Sequence, residues 1–188
     1  MSTSGANTQI HAQVWNGVSW GAPTLMSTIA AVITTFRPFD LEYETSGDRA
    51  IIAYSANVNN QFSYQIWNGA AWSVAATQAI ALNTAPPRWI VMAQNPLPAS
   101  DEIALIGQSL SGTGAVHGVV WTGVAWSNMG AAATWDTTVS NGTSKKAVDV
   151  AYEQQSGRAL FIWADNTTGQ SQYRIWNGAA LTGNTLLA

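Results

Sequence analysis

Short runs of apolar and β-branched residues alternate with turn-forming clusters along nearly the whole chain. Between residues 36 and 76 the runs are Phe39–Glu44, Arg49–Ser55, Phe62–Trp67 and Ala71–Ala75. The clusters between them are Thr45–Asp48, Ala56–Gln61 and Asn68-Gly69. Such runs, rich in Ile, Tyr, Phe and Trp and bounded by Gly, Asn, Asp and Ser, predict consecutive antiparallel strands. No stretch competes as a helix. Ser27–Phe36 has room for a turn of one, but its Ile, Val and Thr favour extended backbone.

The last hairpin of each unit carries one recurring phrase. It reads Trp15-Asn16-Gly17-Val18-Ser19-Trp20, Trp67-Asn68-Gly69-Ala70-Ala71-Trp72, Trp121-Thr122-Gly123-Val124-Ala125-Trp126 and Trp176-Asn177-Gly178-Ala179-Ala180-Leu181. The first Trp recurs at intervals of 52, 54 and 55 residues. Asn-Gly is a strong hairpin signal, because Gly takes up positive φ without a steric cost. A two-residue loop pairs Trp15 with Val18, and a four-residue loop pairs Trp15 with Trp20. Either loop puts both indoles on one sheet face with Gln13 and His11, and Ala12 and Val14 on the other.

A period of this size marks one supersecondary unit repeated. Residues 40–69 align with 149–178 without a gap, matching Asp40 to Asp149, Glu44 to Glu153, Arg49 to Arg158 and Tyr64 to Tyr173. Four short strands per unit, joined by longer connections such as Thr77–Arg88 and Thr134–Lys146, describe the blade of a β-propeller. A β-sandwich also has many short strands but no reason to repeat this pattern. The expected fold is therefore all-β, with β-propeller-like blades of four antiparallel strands. A polar lead-in spans 1–9, and one repeat domain spans 10–188. That domain divides into a half-blade at 10–27 and blades at about 36–76, 88–130 and 146–188. About three and a half blades per chain fall short of the 4 to 8 that close a propeller. The open edges predict a homo-oligomer, a two-chain ring of six or seven blades being simplest, or a place in a longer propeller.

The strand-turn-strand phrase resembles the repeat of fucose-binding β-propeller lectins of fungi and bacteria, which carry Trp-Asp-Gly-x-x-Trp in the matching place. It is also similar to the Trp-Asn-Gly repeats of bacterial surface proteins. The lectin resemblance implies a sugar held between blades by an Arg, a Glu and stacking Trp side chains. Carried over, Trp20, Trp72 and Trp126 take the stacking position, and Leu181 stands there in the last unit. Two residues before the first Trp, where the lectins have Glu, this chain has Gln13, Gln65, Val119 and Arg174.

Composition narrows the chemistry. Only 9% of the 188 residues are charged, against roughly 25% in ordinary globular proteins. A Ser-, Thr- and Asn-rich surface with two lysines (Lys145 and Lys146) fits an extracellular, cell-surface or particle-surface protein. A net charge of −3 without a basic stripe argues against nucleic-acid binding. No apolar run reaches the roughly 20 residues of a membrane helix. Cysteine is absent, which excludes disulfides and thiolate chemistry.

Each candidate side chain also has a plain packing role. Indoles recurring at one position in every unit fit inter-blade packing, and an exposed indole face also stacks on a sugar. His11 and His117 occupy matched positions four residues before the first Trp, but on separate blades, so no metal site is expected. No nucleophile, phosphate-loop or metal motif is present, and neither an enzyme nor a cofactor is expected. The leading expectation is a non-catalytic, lectin-like module binding a glycan or other surface ligand between blades. Trp20, Trp72 and Trp126 would stack, with Gln13, Gln65, His11, His117 and Arg174 as polar neighbours. The alternative is a purely structural subunit of a ring, fibre or coat.

Overall fold

The computed structural model describes residues 1–30, 35–110, 114–139 and 145–187. Every regular element among them is a β-strand. β1 (Ser2–Ser4), β2 (Asn7–Ala12) and β3 (Thr24–Ile29) form a three-stranded sheet. Three four-stranded meanders follow. The second sheet is β4 (Phe39–Tyr43), β5 (Ala50–Tyr54), β6 (Gln61–Trp67) and β7 (Ala76–Ala79). The third is β8 (Trp89–Gln94), β9 (Glu102–Gln108), β10 (Val116–Thr122) and β11 (Trp126–Ser127). The fourth is β12 (Val148–Tyr152), β13 (Ala159–Asp165), β14 (Gln170–Trp176) and β15 (Thr185–Leu186). All ladder pairings are antiparallel between neighbours in sequence, as short turns demand.

The sheets stack face to face as blades, and the first strands β4, β8 and β12 touch one another in turn. These strands therefore sit at the narrow end of each wedge, and the indole-bearing hairpins lie towards the wide end. Each seam between sheets has its own apolar core. Ile10, Ala12, Met26 and Ile29 meet Ile52 and Tyr54 at the first seam. Ile51, Phe62, Ile80 and Leu82 meet Met92, Leu105, Trp121 and Trp126 at the second. Ile106 and Val120 meet Val150, Phe161 and Trp163 at the third. Strand alternation explains the division: Ile51 and Ala53 point forward to the third sheet, whereas Ile52 and Tyr54 point back to the first.

Two expectations need correction. Residues 1–9, read as a polar lead-in, contain β1 and the start of β2, paired in register from Ser2↔Gln9 to Ser4↔Asn7. Gly5 at φ 61° makes that turn, and Thr8 is fully buried. Among the described residues the unit read as half a blade thus has three strands, with none in the innermost place. The fourth strand of the second sheet also begins at Ala76 rather than Ala71. There the Ser73 hydroxyl accepts the Ile66 N–H (3.0 Å), replacing a regular rung of the ladder. Residues 31–34, within the Ser27–Phe36 stretch, and 140–144, within the Thr134–Lys146 connection, lie outside the described residues.

Candidate ligand site at the blade seams

The recurring phrase folds the same way four times. Trp15 lies opposite Trp20, Trp67 opposite Trp72, Trp121 opposite Trp126 and Trp176 opposite Leu181, so the loop has four residues. Only Gly takes positive φ in it: 93° at Gly17, 90° at Gly69, 86° at Gly123 and 87° at Gly178. The residue before Gly supplies the second constraint. Asn68 Oδ1 accepts the N–H groups of Ala70 (3.0 Å) and Ala71 (2.9 Å), and Asn16 and Asn177 do the same in their loops. Thr122 substitutes for Asn with its hydroxyl, which accepts the Ala125 N–H at 3.3 Å.

The three hairpins with two tryptophans hold their rings together, and those of the second and third sheets face the preceding sheet. Ring centroids are 5.5 Å apart for Trp15–Trp20 and for Trp67–Trp72, and 5.7 Å for Trp121–Trp126. What differs is how far the neighbouring sheet covers them. Trp20 is 64% exposed and Trp15 50%, on a face that no other sheet among the described residues covers. Trp67 and Trp72 are half-buried, with Trp72 resting on the first-seam core. Trp126 is only 9% exposed, packed edge-on to Phe62 (5.1 Å) and Tyr64 (5.9 Å). No ring face of Trp126 remains for a ligand.

The polar candidates divide likewise. Gln65 accepts the Tyr54 hydroxyl (3.1 Å) and donates to the Ser73 carbonyl (2.7 Å), which leaves one N–H and one lone pair of its amide. Gln13 makes the matching bond to the Gly21 carbonyl at 3.1 Å. His11 is exposed beside Gln13 on the same open face. His117 is buried against Trp135 (5.3 Å), and its Nε2–H donates to the Ala131 carbonyl at 2.7 Å. Burial holds its pKa below the usual histidine value. Arg174 lies over the Trp135 ring at 4.8 Å and donates to Asn184. The structure thus groups Gln13, His11, Trp15 and Trp20 on one face, and Gln65, Trp67 and Trp72 at the first seam. His117, Trp126 and Arg174 stand apart at the later seams.

Two features escape the sequence. Trp135 comes from the connection after β11, has no counterpart in other units, and fills the third seam against Phe161 (5.3 Å) and Trp163 (5.8 Å). Indole N–H groups also find carboxylates across seams. Trp121 Nε1 donates to Glu44 at 2.7 Å, and Trp176 Nε1 donates to Glu102. The recurrence of Glu44 as Glu153 was a signal for such a role. Among the described residues no group of three or more His, Asp or Glu is placed to hold a metal ion, and no helix is long and apolar enough to cross a membrane.

No protein-family model matches the chain, and no curated protein matches it. Solved structures do. A mutant of the Aleuria aurantia lectin in complex with alpha-methyl-L-fucoside superposes with a TM-score of 0.54 at 13% identity, covering 96% of this chain and 51% of that one. The six-bladed β-propeller structure of the same fungal lectin gives 0.53 at 14% identity, with the same coverage. A fucose lectin from Kordia zhangzhouensis in complex with methyl-fucoside gives 0.45 at 12% identity, over 80% of this chain and 97% of that one. The chain spans about half the length of the Aleuria lectin. The fold it shares with that lectin is the β-propeller.

Proposed function

We propose that this chain is a non-catalytic glycan-binding module of an extracellular or particle surface, with its ligand at the first blade seam. The observation that carries the reading is the partly buried Trp67–Trp72 pair beside Gln65. It is an indole platform that keeps accessible ring area even with a neighbouring sheet in place. Indoles stack on the C–H faces of sugars, and the spare N–H and lone pair of the Gln65 amide suit a sugar hydroxyl. Trp72 is the stacking residue of this site. Trp126 and His117 act in packing, and Arg174 in holding Trp135. The propeller fold shared with a lectin solved with a fucoside supports the ligand class. The sparsely charged, Ser/Thr/Asn-rich surface supports the location.

A neutral platform of this kind gives weak contacts, of about 0.5–1.5 kcal/mol per stacked ring, so binding strength comes from several sites presented together. A glycan array that includes fucosides tests the reading, followed by titration of Trp72→Ala and Trp72→Phe. Binding is expected for the parent chain, reduced about two- to tenfold in Trp72→Ala and partly retained in Trp72→Phe, with circular dichroism unchanged. Silence across the array, or full binding by Trp72→Ala, overturns it.

A further inference from the structure

The two ends of the chain expose the two halves of a contact that the chain makes internally. At the second seam, the Trp121–Trp126 hairpin sits in a socket of the second sheet. Trp121 Nε1 donates to Glu44 Oε1 (2.7 Å), and Arg49 Nη2 donates to the Gly123 carbonyl (2.8 Å). Arg49 also clamps Glu44 through Nε and Nη2, both at 2.6 Å, and the Glu44 side chain is fully buried. Ile51, Phe62, Tyr64 and Ile66 supply the apolar wall.

The fourth sheet repeats this socket with Glu153, Arg158, Leu160, Tyr173 and Ile175, and has Ser171 in the place of Phe62. The backbone is the same: Glu44 N–H donates to Arg49 O, and Glu153 N–H to Arg158 O, each at 2.8 Å. Here no hairpin among the described residues fills the socket. Among the described residues, the exposed Glu153 side chain takes only the Ser156 hydroxyl and Arg158 forms no ion pair. Leu160 is 41% exposed, and a hollow of 360 Å³ opens between Glu153, Arg158, Leu160 and Ile175. At the other end of the molecule the Trp15–Trp20 hairpin presents the matching plug, with the same cross-strand pairing and Gly17 at φ 93° beside 86° at Gly123.

We propose that a second copy of this chain docks its Trp15–Trp20 hairpin into the fourth-sheet socket, Trp15 Nε1 on Glu153 and the Gly17 carbonyl on Arg158. A head-to-tail contact closes a ring when its rotation completes a turn. With four sheets in each chain, two copies supply eight, within the 4 to 8 blades that close a propeller. Asp149 stays outside the contact. Its counterpart Asp40 accepts the Met92 N–H from β8, and among the described residues the first sheet has no strand in the place of β8. The inference does not depend on the glycan reading, since Trp72 belongs to neither half.

Light scattering and sedimentation of the intact chain, of Trp15→Ala and of the double variant Glu153→Ala/Arg158→Ala test it. A finite dimer is expected at micromolar concentration. Each variant is expected to weaken association by about thirtyfold or more, the scale of a buried Trp or Arg anchor. Mixing the two variants restores association through the one intact plug and socket, a result that misfolded variants do not give. Trp72→Ala is expected to leave the dimer unchanged. A monomer at 100-fold higher concentration, or a dimer indifferent to both variants, overturns it (the concentration step is about 3 kcal/mol).

Discussion

Glu44 carries three hydrogen bonds from two other residues while its side chain is wholly out of solvent, so its negative charge is balanced almost entirely by Arg49 and the Trp121 indole. A buried carboxylate is costly unless paired and fully hydrogen-bonded, and here both conditions hold. Glu44→Gln keeps an acceptor for Trp121 and removes the charge beside Arg49. The guanidinium retains some solvent, so the expected loss is about 1–3 kcal/mol rather than the larger cost of stranding a fully buried charge. Urea unfolding of Glu44→Gln, Trp121→Phe and the double variant measures the coupling between them. Additive losses would show that the indole and carboxylate act separately. The sequence displayed this carboxylate as one that recurs at Glu153. It could not display the use, because Trp121 lies 77 residues further along the chain.

At the scale of elements, two glycines separate what is local from what is tertiary. Gly69 has φ 90° and open space where a Cβ would stand, so Gly69→Ala tests only the left-handed backbone of the hairpin and should cost about 1 kcal/mol. Gly118 lies in β10 without positive φ, but an added Cβ would come 2.4 Å from the Trp135 ring and 3.0 Å from Phe161. Gly118→Ala is expected to cost about 1–3 kcal/mol through overpacking, and to be relieved by Trp135→Phe. Equal losses from the two glycine variants, with no relief from Trp135→Phe, would contradict this assignment. The contrast also marks what was legible. Hairpins, strand parity and blade period follow from nearest-neighbour chemistry, and the four Trp-bearing turns were readable from Asn, Gly and spacing. Trp135 was not, because it comes from a connection that no other unit repeats. The strand role of residues 2–9 was hidden for a related reason: its Ser and Thr residues carry no apolar alternation, and β2 provides the pairing that makes β1 a strand.

For the whole molecule, scarcity of charge makes the dependence of stability on pH the work of a few groups, since only ten carboxylate side chains and two histidines are present. Glu42 and Asp165 pull in opposite directions. Burial, with repulsion from Asp40, raises Glu42 from 4.5 to about 6 against the attraction of Arg37. Folding thus favours its protonated form, and that contribution is complete below pH 4.5 and lost as pH rises through 6. For Asp165 burial acts upward, but hydrogen bonds from Gln172, the Thr167 N–H, Thr168 and Thr138 outweigh it and hold the pKa at about 2. Its contribution is complete above pH 4 and disappears as pH falls from 3.8 through 2. His117, held below its usual value by burial, loses stability as pH drops below 6.5 and so partly masks Glu42 in the parent protein. Single variants remove that overlap when each is compared with the parent at the same pH. Glu42→Gln is expected to raise the melting temperature at pH 7.5 and to leave it unchanged at pH 4, because at pH 4 the parent already has a neutral side chain there. Asp165→Asn should lower it at pH 7, with the gap narrowing between pH 4 and pH 2 as the parent carboxylate protonates. Thermal melts of both variants from pH 2 to 8 decide the matter. A Glu42→Gln protein destabilised equally at pH 4 and pH 7.5 would place that side chain in a structural hydrogen bond instead of an electrostatic conflict.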